Sequence, residues 1–257
     1  MNKGKVYLVG AGPGDPKLIT VRGLECIQQA DVIIYDRLVN STLLDNAPKT
    51  TEFIFCGKFP HHHVIRQEAI NELLVEKALE GKNVTRLKGG DPCVFGRAGE
   101  EAEALVLRNI PFEIVPGITA GIAASAYAGI PVTHRDFCTS FAMVTGHLSD
   151  EKLEDAKKWK ALATGIDTIA FYMGMSNISL ITNNLIKYGK DPKTPVAIIR
   201  WGTTEHQETY IGTLENIATK VNQYGIKNPA IVLVGEVVNL RNKIQWFEEV
   251  VISVKAQ

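Results

Sequence analysis

A chain of 257 residues with 45% apolar content can bury one large or two ordinary cores, which excludes a disordered tail or linker. Lysine plus arginine and aspartate plus glutamate number 28 each, so no overall basic field exists to hold a nucleic-acid backbone. No apolar run approaches a membrane span, and KVYLV before Gly10 is too short for a signal-peptide core. Neither nucleic acid nor membrane is therefore expected as a partner, and the expected location is cytoplasmic.

In chain order, the β-branched runs at 5–9, 31–35, 52–56, 83–87 and 112–115 predict strands. Helical patterns separate most of them. In the clearest, 64–80, Ile70, Leu73, Leu74 and Ala78 recur at helix spacing before Gly81 ends the run. Such alternation predicts a mostly parallel sheet covered on both faces. A small-residue helix over 119–128 is followed by GIPVTHRDF (129–137), which interrupts the pattern. Strands resume at 140–146, 168–173, 195–201, 208–213, 230–235 and 246–252. Some of these follow one another without a helix, which predicts a more antiparallel second sheet. The fold class is α/β with two α/β domains, 1–134 and 135–257.

Cys26, Cys56, Cys93 and Cys138 are widely spaced, with no C-x-x-C pair, and read as thiols of a reducing compartment. His61, His62 and His63 are adjacent and so point in different directions in any regular structure. They read as a solvated loop, and no metal is expected.

Two glycine-rich stretches could carry chemistry. VGAGPGDP (9–16) follows a strand, and Asp36 ends the next, the spacing of a dinucleotide-binding fold. Pro13 and Pro16, however, remove two N–H donors from the turn, and Thr20 is a natural N-cap that starts the helix well beyond the glycines. A tight turn without a ligand is the competing reading. The second stretch, RLKGGDPCVFGRAGEE (86–101), sets Gly89-Gly90 and Asp91 ahead of Arg97 and Glu100. Bare backbone there permits close approach to a ligand. The alternative is a turn in which Asp91 caps the segment that follows.

RLKGGDP (86–92) and FGRAGEE (95–101) are preceded by YDRLV (35–39) and Gly57-Lys58 and followed, in order, by VPGITAG (115–121), GIPVTHRD (129–136), VTGH (144–147), FYMG (171–174), WGT (201–203) and VGEVV (234–238). From Lys5 to about Phe247 the chain resembles the tetrapyrrole methylase family, and within it the branch acting on uroporphyrinogen III. The resemblance implies two α/β domains with the active site in the cleft between them, a homodimer, and S-adenosylmethionine as methyl donor, leaving S-adenosylhomocysteine. It implies two methyl transfers, to C2 and C7 of uroporphyrinogen III, giving precorrin-2 on the way to sirohaem and cobalamin.

The same resemblance carries Pro13, Gly89, Gly90, Asp91, Val94, Thr119, Ala120, Met173, Gly202 and Ala230 into the cofactor site. Asp91 would meet the cofactor ammonium, and N–H groups near Thr119 and Ala120 its carboxylate. It implies Asp36 as proton acceptor and Lys58 as donor, with Arg97 a rival for proton handling. Arginine is seldom deprotonated, so Arg97 and Arg135 are better suited to anchoring substrate carboxylates, with Glu100 binding pyrrole N–H or orienting Arg97. Met173 would otherwise read as a core methionine. FPHHH after Lys58, Cys93 in the GGDP loop and Trp201 ahead of Gly202 depart from the family pattern. A relative acting on a later corrin precursor, a dinucleotide-dependent oxidoreductase and a non-catalytic ligand-binding module remain as alternatives.

Overall fold

The computed structural model describes residues 3–57, 66–146 and 155–247. The chain divides into two compact units, 1–119 and 120–257.

In the first unit, β1 (Val6–Gly10), β2 (Val32–Tyr35), β3 (Glu52–Phe55), β4 (Val84–Lys88) and β5 (Phe112–Val115) form one sheet in the order β3-β2-β4-β1-β5. Every pairing is parallel, as the strand–helix alternation predicts. Side-chain parity sorts the strands onto two faces. Val6, Leu8, Val32, Ile34 and Val84 pack with Ile70, Leu74 and Ala78 of helix Gln67–Leu79 and Leu105 of helix Ala98–Leu107. Val9, Ile33, Leu87 and Val115 pack on the other face with Cys26 and Ile27 of helix Val21–Gln28. That helix does not open on the glycines. Thr20 caps it, its hydroxyl accepting from the Gly23 N–H at 3.0 Å. Thr20→Ala should cost about 1 kcal/mol in urea unfolding; an unchanged midpoint would show that the cap contributes nothing.

In the second unit, β6 (Phe141–Thr145), β7 (Thr168–Tyr172), β8 (Pro195–Arg200), β9 (Glu208–Thr213) and β10 (Ala230–Val234) follow the order β6-β7-β10-β8-β9. The β6–β7 pair is parallel; the other pairings are antiparallel. Trp159, Phe171, Ile181, Leu185, Val196, Ile198 and Val232 fill one face. Helix Ala120–Tyr127 lies on the other, where Ala124 meets Ala170, Ala197, Ile199 and Ile231. This packing puts the division at Thr119/Ala120, ahead of the 134/135 boundary expected from the loop at 129–137. Small side chains let the helix approach its sheet closely, but composition does not say which sheet it serves.

The expected strand 246–252 is not formed at 246–247. The Trp246 indole N–H donates to the Ala126 carbonyl at 3.0 Å, and both Trp246 and Phe247 pack on Tyr127. Residues 248–252 lie outside the described residues. Cys26, Cys56 and Cys138 are buried free thiols, whereas Cys93 is exposed. Among the described residues no helix is long and apolar enough to cross a membrane.

Candidate active site

Parallel strands bring the loops after β1, β2, β4 and β5 to one edge of the first sheet, where ligands of α/β proteins bind. Here the β1 and β4 loops are tied backbone to backbone. Gly12 N–H donates to the Gly90 carbonyl at 3.2 Å, Gly90 N–H to Gly12 at 2.7 Å, and Ala11 N–H to Lys88 at 2.7 Å. Gly90 has φ +72°, a conformation that favours glycine. A Cβ on Gly10 would lie 2.6 Å from Gly117 Cα and 2.7 Å from the Gly90 carbonyl oxygen. The glycines of the N-terminal stretch are thus spent on packing three loops together, which removes the dinucleotide reading's phosphate cradle.

Asp91 braces the same junction. Its Oδ1 accepts from Cys93 N–H at 2.8 Å and its Oδ2 from Gly117 N–H at 3.0 Å. The capping role is realised, and a carboxylate with about four acceptor sites retains capacity for a ligand ammonium. Pro13, Gly89, Gly90, Asp91 and Val94 all lie on loops at this edge, and each keeps part of its surface accessible.

Arg97 begins helix Ala98–Leu107 from a left-handed conformation, φ 60°. Its Nε and Nη2 grip the Glu100 carboxylate at 2.7 and 2.6 Å, with both side chains about half exposed. This hydrogen bonding raises the Arg97 pKa and lowers that of Glu100. Arg97 is therefore held as a cation, which suits anchoring and not proton removal.

Asp36 follows β2. Its Oδ1 accepts from Arg86 Nη2 at 2.6 Å, and Cys56 Sγ lies 3.5 Å from the same oxygen. Burial pushes the Cys56 thiol up to about 12. Behind Asp36 lies a cluster that motif reading misses: Arg86, Lys88 and Glu101, with side chains 2%, 3% and 0% exposed. Glu101 Oε1 accepts from Lys88 Nζ at 2.6 Å, Arg86 Nε at 3.1 Å and Gln67 Nε2 at 3.2 Å. Burial opposes the Arg86 charge, but the Asp36 and Glu101 carboxylates outweigh it and raise its pKa. For Lys88, burial followed by the Arg86 charge lowers the pKa. The available signal was two cations in VTRLK, a strand otherwise written for a core. Lys58 and His61–His63 lie outside the described residues.

In the second sheet the register pairs Tyr172 with Ile231 and Arg200 with Ala230. Met173, Gly202 and Ala230 therefore share one edge, formed by the ends of β7 and β8 and the start of β10. Met173 is 49% exposed with φ 54°, so it is not a core methionine. Gly202 is required by contact, since a Cβ would run into Ala124. Tyr172, another residue the motif reading passed over, accepts from Gly121 N–H at 2.7 Å. One leading N–H of the helix opened by Ala120 is thus already met by protein, and Thr119 is buried. Arg135 is exposed on the turn closed by His134 and Cys138 and belongs to a different unit from Arg97.

Among the described residues, six non-glycine residues have positive φ: Phe95, Arg97, Asn109, Met173, Trp201 and Thr203. All but Asn109 fall in the FGR, FYMG and WGT motifs. Backbone strain of this kind clusters at ligand sites, so it singles out the same loops as the motifs do.

Two α/β units, each with positive-φ residues in loops at an edge of its sheet, and a first loop without the phosphate cradle, set the fold apart from dinucleotide-binding proteins. The chain belongs to the Tetrapyrrole (Corrin/Porphyrin) Methylases, whose sequence pattern matches residues 5–218. It is 61% identical to the uroporphyrinogen-III C-methyltransferase of Priestia megaterium, over 92% of this chain and 99% of that one. Identity to the uroporphyrinogen-III C-methyltransferase of Bacillus subtilis (strain 168) is 54%, over 95% of each. The crystal structure of uroporphyrin-III C-methyltransferase from Thermus thermophilus, complexed with S-adenosylhomocysteine, superposes with a TM-score of 0.78. It is 36% identical and covers 92% of this chain and 100% of its own.

Proposed function

We propose that this protein transfers methyl groups from S-adenosylmethionine to C2 and C7 of uroporphyrinogen III, giving precorrin-2 for sirohaem or cobalamin synthesis. The observation that carries this reading is the concentration of backbone strain in the FGR, FYMG and WGT loops at the two sheet edges. The similarity to uroporphyrinogen-III methylating enzymes supports the substrate.

S-adenosylmethionine supplies an activated sulfonium methyl when bound, so the chain's task is to position reactants and exclude water. Pro13, Gly89, Gly90, Asp91, Val94, Ala120, Met173, Gly202 and Ala230 hold the cofactor. Thr119, at the junction ahead of helix Ala120–Tyr127, belongs to the same set. Attack by a pyrrole carbon leaves a cation that must lose a proton, which Asp36 accepts; Lys58 donates a proton in the accompanying tautomerisation, which releases one further proton and keeps the net loss at one. Arg97, paired with Glu100, and Arg135 anchor substrate carboxylates. The enzyme works as a cytoplasmic homodimer, giving a solution mass near twice 28.2 kDa by light scattering.

Incubation with S-adenosylmethionine and enzymatically generated uroporphyrinogen III should yield a product heavier by two methyl groups. No addition, with turnover of precorrin-2 instead, would assign the protein to a later step. Arg97→Ala and Arg135→Ala should each lose about tenfold in kcat/KM, the loss of a charged hydrogen bond, while still binding S-adenosylhomocysteine. Undiminished turnover in both would remove these arginines from the substrate site.

A further inference from the structure

We infer that Glu101 is a positioning residue for Asp36, acting through Arg86. The register places Arg86 beside Ile34 and Leu87 beside Tyr35, so β4 delivers the guanidinium under the end of β2 from which Asp36 projects. Val84, Arg86 and Lys88 share one face of β4, which changes from apolar to cationic toward the site. The Arg86 guanidinium is planar, and its donors diverge. Nη2 meets Asp36, Nε meets Glu101, and Nη1 reaches the Ile34 and Leu87 carbonyls at 3.4 Å. Fixing the plane at Glu101 therefore fixes the direction from which Asp36 is held. Asp36 is 32% exposed and engaged through Oδ1, which leaves Oδ2 for chemistry.

Stability alone gives no reason for this arrangement. Glu101 is fully buried and takes three donors on Oε1, while Oε2 has no hydrogen-bond partner. A carboxylate so placed is costly, and apolar replacements of buried ion pairs are often neutral or stabilising. What Glu101 provides is an oriented Arg86.

The inference rests on Asp36 as the proton acceptor of the proposed function, so the experiment separates the two. Glu101→Leu/Lys88→Met removes one anion and one cation together and keeps the buried charge balanced. It should melt near the parent and bind S-adenosylhomocysteine normally. Its kcat should fall on the order of 100-fold at little-changed KM, the effect of a misplaced catalytic group.

In a cycle with Asp36→Asn, the losses should merge: adding the pair to Asp36→Asn should lower kcat little further. Parent-like turnover of the pair, or an additive loss in the combined variant, overturns the inference. Parent-like turnover of Asp36→Asn alone instead overturns the role of Asp36, and with it the premise. If the apolar pair does not fold, Glu101→Gln/Lys88→Met keeps the side-chain shape and enters the same cycle. Merged losses then support the inference, and parent-like turnover or additive losses overturn it.

Discussion

Glu101→Leu on its own is expected to lower the unfolding free energy by about 3–5 kcal/mol, because it leaves buried cations without their counter-charge. Arg86 would retain only Asp36, which is partly exposed, and Lys88 would lose the carboxylate 2.6 Å from its ammonium. Adding Lys88→Met should recover most of the loss, since the two changes share one interaction and do not add. The deficit should also depend on pH. Burial, then Arg86, already lowers the Lys88 pKa from 10.5, and removing Glu101 lowers it further. Between the folded value and 10.5 the unfolded chain binds more protons, so stability rises with pH in that window. Urea unfolding across alkaline pH should show the variant approaching the parent as pH rises toward 10.5. A loss below about 1 kcal/mol at neutral pH, the range of an exposed ion pair, would show that water relaxes the cluster.

Ten strands stand within a residue or two of the runs that predict them, because β-branched stretches bounded by glycine, proline and asparagine are a local signal. The site was legible where a motif states a geometry. Gly90 in a left-handed turn and Arg97 one helical turn from Glu100 are of that kind. It was not legible where partners meet through topology. Arg86 finds Asp36 because β4 inserts between β2 and β1, a strand order that no spacing along the chain encodes. Asp91 reaches the Gly117 N–H, and Tyr172 the Gly121 N–H, for the same reason. The division into compact units falls before helix Ala120–Tyr127 and not after the loop at 129–137, because alanines in that helix carry no mark of the sheet they cover. Glu101 was hidden beside Glu100: one helical step separates a half-exposed partner of Arg97 from a fully buried acceptor.

Gly117→Ala should abolish most cofactor binding, with affinity for S-adenosylhomocysteine falling on the order of 100-fold, the effect of displacing a binding loop by about 1 Å. The reason is close approach and not conformational freedom, since Gly117 is absent from the positive-φ glycines. Its Cβ would overlap the Gly90 carbonyl oxygen and the Gly10 backbone, where no side chain can rotate away. Gly90 is in turn hydrogen-bonded to Gly12, and the Gly117 N–H holds Asp91. One methyl group would therefore displace the loops after β1, β4 and β5 together. Gly99→Ala is the matched control: the position lies in helix Ala98–Leu107 with nothing within 4 Å of the added Cβ. It should bind as the parent does and gain up to about 1 kcal/mol from helix propensity. Calorimetric titration of both variants with S-adenosylhomocysteine decides the matter. Equal affinities would mean that the three-loop junction does not shape the cofactor site, and a loss confined to Gly117→Ala would mean that it does.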